Sequence, residues 1–134
     1  MKKMKFLLLL LSPLLLATTC DDDPDYPHIG LQGEWQLVHI SNGFAGSSRD
    51  IDEGLISWTF SESYRTLYVS NESEDADTGL TSSNYHYTID VEDPDVCDEA
   101  LTVGEREFGC ISITGDTLRI SKEYVDGDTF TFVR

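Results

Sequence analysis

Between Gly33 and Val133 the chain consists of short runs in which apolar and polar side chains take turns, and no stretch spaces its apolar residues at helical intervals. The clearest run is NYHYTIDV, where Tyr85, Tyr87, Ile89 and Val91 oppose His86, Thr88 and Asp90. A period of two places alternate side chains on opposite faces of an extended strand, so one face is buried while the other stays wet. GEWQLVHI sets Trp35, Leu37 and His39 on one face, and GLISWTF does the same for Ile56, Trp58 and Phe60. YRTLYVS opposes Leu67 and Val69 to Tyr64, Thr66 and Tyr68. ALTV offers Leu101 and Val103, TLRIS offers Leu118 and Ile120, and DTFTFV offers Phe130 and Phe132. EFGCISIT sets Ile111 and Ile113 opposite Phe108 and Cys110. Eight strands are predicted, in an all-β chain.

The links decide how those strands meet. Gly115-Asp116 suits a two-residue hairpin, and Gly104 with Glu105 and Arg106 suits another. Links this short favour antiparallel neighbours, because parallel strands need long crossovers. Two links are longer, Ser41 to Glu53 and Asn71 to Ser83; both are rich in glycine, serine and acids and are predicted to frame the mouth of a barrel. An eight-stranded up-and-down meander removes its free edges by closing on itself. The bore of such a barrel is either filled by side chains or wide enough for one small ligand. Inward candidates are Trp35, Leu37, Ile56, Trp58, Phe60, Tyr85, Tyr87 and Ile89. If a pocket exists, its candidate lining is Trp35, His39, Trp58, Tyr85 and Tyr87, with His39 and the two tyrosines as polar groups. The other reading of His39 is a hydrogen-bonded or wet position near the rim.

LQGEWQLV, with Gly33-Glu34-Trp35 opening the first strand, resembles the Gly-x-Trp signature of lipocalins. Residues 31–134 as a whole are similar to the small lipocalin-like domains of bacterial lipoproteins. The likeness is carried in order by the loop at Asn42 to Gly46, the strand Trp58-Thr59-Phe60, the GCISI strand and the closing stretch from Asp126 to Phe132. It implies an eight-stranded lipocalin-like barrel in which Trp35 packs across the closed end.

The first residues have a different character. Lys2, Lys3 and Lys5 precede an apolar run from Phe6 to Ala17, and small residues then lead to Cys20. A basic start, a short oily core and small residues form a secretory signal. The run is too short for a membrane span, which needs about 20 residues. LLLATTC resembles the signal of bacterial lipoproteins, in which cleavage falls before a cysteine that receives acyl chains. Residues 1–19 are thus expected to leave, Cys20 to be lipidated, and residues 20–30 to form an acidic tether with two prolines. Each buried methylene contributes roughly 0.8 kcal/mol, so several acyl chains on Cys20 would fix a small domain to a membrane. Asp21, Asp22 and Asp23 resemble the export signal of some surface lipoproteins; the outer membrane, facing the cell surface, is the expected location, with a periplasm-facing anchor as the alternative.

Charge narrows the partners. The chain has 9 basic and 25 acidic side chains, and loss of the three N-terminal lysines would leave a net charge of −19. Such a body repels nucleic acid and anionic headgroups. Of three cysteines, lipidation would occupy Cys20 and leave Cys97 and Cys110 either as a disulfide or as two buried thiols. A bridge closing a loop of about 14 residues stabilises by roughly 3 kcal/mol in the chain-entropy account. No CxxC or Cys/His cluster signals zinc. DADTG, Asp75 to Gly79, departs from the calcium-loop pattern, and the acids from Glu92 to Glu99 lack ordered spacing, so no metal or other cofactor is expected. His28, His39 and His86 sit in no catalytic motif, and no enzyme is expected. Two functions remain open: non-catalytic binding of a small apolar molecule, or a filled barrel that binds a macromolecular partner through its loops. In the second, Phe44 on its glycine-flanked loop is the candidate anchor; the other reading of Phe44 is a lid folded back over the barrel.

Overall fold

A computed structural model describes residues 30–74, 78–91 and 93–134. The signal segment, the lipidation candidate Cys20 and the tether up to Ile29 lie outside these residues, as do Asp75 to Asp77 of the DADTG stretch and Glu92.

Nine strands follow in chain order: β1 Gly33–Asn42, β2 Ser47–Asp50, β3 Ile56–Ser61, β4 Thr66–Asn71, β5 Ser83–Asp90, β6 Ala100–Val103, β7 Arg106–Thr114, β8 Thr117–Ser121 and β9 Asp128–Val133. A 3-10 turn, Glu123–Val125, joins β8 to β9. From β3 onward each strand pairs antiparallel with the next, β1 pairs with β3, and β9 returns to β1. Eight strands thus close the antiparallel up-and-down barrel predicted from the alternation, and the hairpin links do it with short turns.

The ninth strand, β2, corrects the reading of Ser41 to Glu53 as a plain loop. β1 runs on to Asn42, the chain turns through Gly43 to Gly46, and β2 folds back with His39 opposite Asp50 and Asn42 opposite Ser47. All four β2 residues are exposed, so the segment carries no alternation to read. β3 occupies the lower half of the same β1 edge, from Gly33 opposite Phe60 to Gln36 opposite Ser57. β2 therefore stands above β3 and raises one side of the rim.

Two bulges break the simple period. On β1, Leu37 pairs with Phe132 and His39 with Thr131, so Val38 is the extra residue; Ile40 then turns inward and His39 outward. On β7, Leu101 pairs with Gly109 and Thr102 with Glu107, leaving Phe108 extra. Phe108 and Ile111 are consequently both buried, whereas alternation alone set them on opposite faces. Gly109 permits this with φ of +102°, and a Cβ there would lie 2.3 Å from the Ser121 carbonyl oxygen.

Each end of the barrel is closed by different means. At one end Trp35 is fully buried, its Nε1–H donates to the Leu31 carbonyl at 2.8 Å, and the Arg134 guanidinium lies 4.4 Å above its ring. At the other end the β4–β5 link dips inward, burying Thr78 and Leu80. Arg106 Nη1 donates to the Thr78 carbonyl at 2.9 Å while its guanidinium covers Phe108 at 4.7 Å. Gly79 suits this position with a φ of +68°, and a Cβ there would push the Arg106 guanidinium off its place. Cys97, in the β5–β6 link, and Cys110, facing outward from β7, form a disulfide with Cα atoms 5.7 Å apart. It pins that link against the outer wall of the barrel.

Candidate functional site

Around the ring, β3 and β7 stand four strands apart in either direction. Trp58 of β3 nevertheless reaches Phe108 of β7, edge to face at 5.3 Å. It also lies 4.9 Å from Phe132 and 6.5 Å from Phe130, both of β9. Phe60 extends the cluster to Tyr87 of β5 in a T-shaped contact at 5.2 Å. Rings from four strands thus fill the bore at this level, each within the range where aromatic pairs attract. Among the described residues the Trp58 Nε1–H has no acceptor.

Of the five residues proposed as a pocket lining, four gather at the core and His39 stands apart. Trp35 and Trp58 are cross-strand partners, and Tyr85 packs against the cluster. Trp35, Trp58 and Tyr87 are core residues. Tyr85 is half-buried, and its hydroxyl donates to the Thr81 carbonyl at 2.9 Å in the β4–β5 link. His39 lies on the outer side of the β1 bulge with Nδ1 2.7 Å from Asp50 Oδ1.

Polar groups converge instead at the mouth, on the inner face of the β9–β1–β2 rim. One row across the three strands is Asp128, Asn42 and Ser47; the next is Phe130, Ile40 and Arg49. The burial of Phe130 and Ile40 marks this face as the one continuous with the core. Between them lies an open cleft of about 380 Å³ lined by Ile40, Asn42, Ser47, Ser48, Arg49 and Asp128. Asn42 is held from two sides: its Nδ2–H donates to Asp128 Oδ1 at 2.6 Å, and its Oδ1 accepts from the Ala45 N–H at 2.7 Å. The turn itself leans on the β8–β9 link, with Gly43 N–H donating to the Gly127 carbonyl and Phe44 N–H to that of Asp126. At its tip Phe44 is 86% exposed. Sequence reasoning missed this set because Ser47, Arg49 and Asp128 carry no signal until β2 is known to be a strand beside β1.

A second, smaller groove of about 260 Å³ lies outside the barrel beside the disulfide, lined by Val96, Cys110, Arg119, Ser121, Glu123 and Tyr124. Arg119 pairs with Glu123 across it, and the Tyr124 hydroxyl donates to Glu107 at 2.6 Å. On the neighbouring link, partial burial together with the charge of Asp98 raises the pKa of Glu99 above the usual carboxylate range. Among the described residues no three His, Cys, Asp or Glu side chains gather as a metal site. No protein family, curated protein or solved structure matches this chain.

Proposed function

We propose that this chain is an envelope lipoprotein, anchored through acyl chains on Cys20, whose lipocalin-like barrel serves as a non-catalytic binding module with a filled interior. Partners are met at the loop end, by the rim, the cleft and the Phe44 turn. The observation that carries this reading is the contact between Trp58 and Phe108, which spans the bore where a small apolar guest would have to sit. The polar cleft at the mouth supports it, because it offers a shaped surface outside the core. The surface of the outer membrane is the location that suits a module presenting its loops away from the tether.

A titration of the Cys20→Ser chain with fatty acids and a hydrophobic dye, followed by tryptophan emission, tests the filled interior. A flat response is expected; a saturable change would return the small apolar ligand to first place. Mass spectrometry of the native protein tests the anchor, which requires an acylated cysteine as the first residue.

A further inference from the structure

We propose that the cleft at the rim is a binding site for a neutral, polyhydroxylated ring, a sugar, either free or at the end of a glycan. The inference rests on the reading of a filled barrel that binds at its loop end. Its walls combine a carboxylate (Asp128), a guanidinium (Arg49), an amide (Asn42) and a hydroxyl (Ser47), over an aliphatic floor (Ile40). One acid and one base cancel, so the site itself selects for no net charge. The remainder of the mature chain, at −19 after loss of the three N-terminal lysines, repels anions before they arrive. A simple cation gains little, since Asp128 already accepts from Asn42 and a guanidinium shares its cleft.

A sugar ring satisfies this set in a way that an ion does not. Each hydroxyl donates and accepts at once, so adjacent hydroxyls can donate to the Asp128 carboxylate and accept from Arg49, as charge-assisted hydrogen bonds. The C–H face of the ring meets Ile40. The volume of about 380 Å³ lies within the usual range of small-molecule sites. The wall is also organised in advance. Asn42 is locked by Asp128 and by Ala45, and Gly127, which braces the turn, is itself packed so tightly that a Cβ would lie 2.6 Å from Lys122. Preorganised donors and acceptors lose less on binding. Phe44, exposed on the same turn, adds a ring beside the cleft for a second sugar unit.

Saturation-transfer NMR and calorimetry on the mature lipidated chain, in an amine-oxide detergent free of sugar headgroups, test the proposal with the methyl glycosides of glucose, galactose and mannose and with alanine as a zwitterionic probe. At least one glycoside is expected to saturate. Asp128→Asn and Arg49→Gln should each weaken it tenfold or more, Arg49→Gln without moving Tm, while Ser112→Ala on the outer wall leaves it unchanged. Equal affinity for a monosaccharide and its oligosaccharides identifies a free sugar, and affinity rising with length identifies a glycan end; either supports the site. Silence from every glycoside, wild-type affinity in both rim variants, or binding of alanine alone overturns it. A flat dye titration beside silent sugars sinks this inference and spares the filled barrel, whereas a saturable dye response sinks the filled barrel.

Discussion

Trp58 of β3 and Phe108 of β7 meet edge to face at 5.3 Å although their strands stand on opposite sides of the barrel. The contact joins strands that share no hydrogen bond, so it holds the cylinder at a set width.

Removing either ring should therefore cost more than surface burial alone. Trp58→Ala and Phe108→Ala are each expected to destabilise by about 3–5 kcal/mol, the transfer cost plus the cavity left behind. A double-mutant cycle in urea should show a coupling of roughly 1 kcal/mol. Trp58→Ala should also gain saturable dye binding, since it opens the bore.

Gly109→Ala tests the β7 bulge. The new methyl would be 2.3 Å from the Ser121 carbonyl and on a backbone with positive φ, so β7 and β8 must part. A loss of at least about 2 kcal/mol is expected in chemical unfolding. Gly115→Ala, where a Cβ meets nothing, carries only the strain of positive φ and should cost less.

Reducing the disulfide between Cys97 and Cys110 should lower stability by about 3 kcal/mol. Hydrogen exchange should speed up first in the link before β6, which the bridge holds against the wall, and last in β3.

Tyr87 gives the fold an alkaline limit. Burial, then the charge of Glu62, raise its pKa above the ordinary tyrosine value, with Arg65 opposing. Below about pH 10 both folded and unfolded chains keep the proton and stability is unaffected. Above that, the unfolded chain ionises first, so stability falls as pH climbs toward the folded-state pKa. Urea unfolding at pH 8 and pH 11 should show a smaller loss for Tyr87→Phe than for the wild type.

Phe44→Ser should leave the thermal melt within about 0.5 kcal/mol of wild type, because the side chain is 86% exposed and not folded back as a lid. Any partner that docks on the turn should be lost with it, which pull-down or calorimetry with that partner would register.

The alternation by itself determined a great deal. Tyr87 and Ile89 against His86 and Thr88, and the same pattern in Trp58 and Phe60, are enough to assign strands and their buried face, because a period of two leaves each side chain one choice. Short links then required antiparallel neighbours, and eight such strands closed. What the alternation missed falls where that choice is broken or empty. A single extra residue at Val38 and at Phe108 reverses the facing of everything beyond it, and bulges are settled by pairing with a distant strand rather than by local pattern. β2 has no buried face, so nothing in Ser47 to Asp50 marks it as a strand until β1 lies alongside. The cleft at the rim depends on both. Asp128 and Ser47 are 81 residues apart in the chain and neighbours only by way of Asn42, a relationship created by ring closure. Local sequence decides which side of a strand is oily; only the closed sheet decides which polar side chains share a mouth.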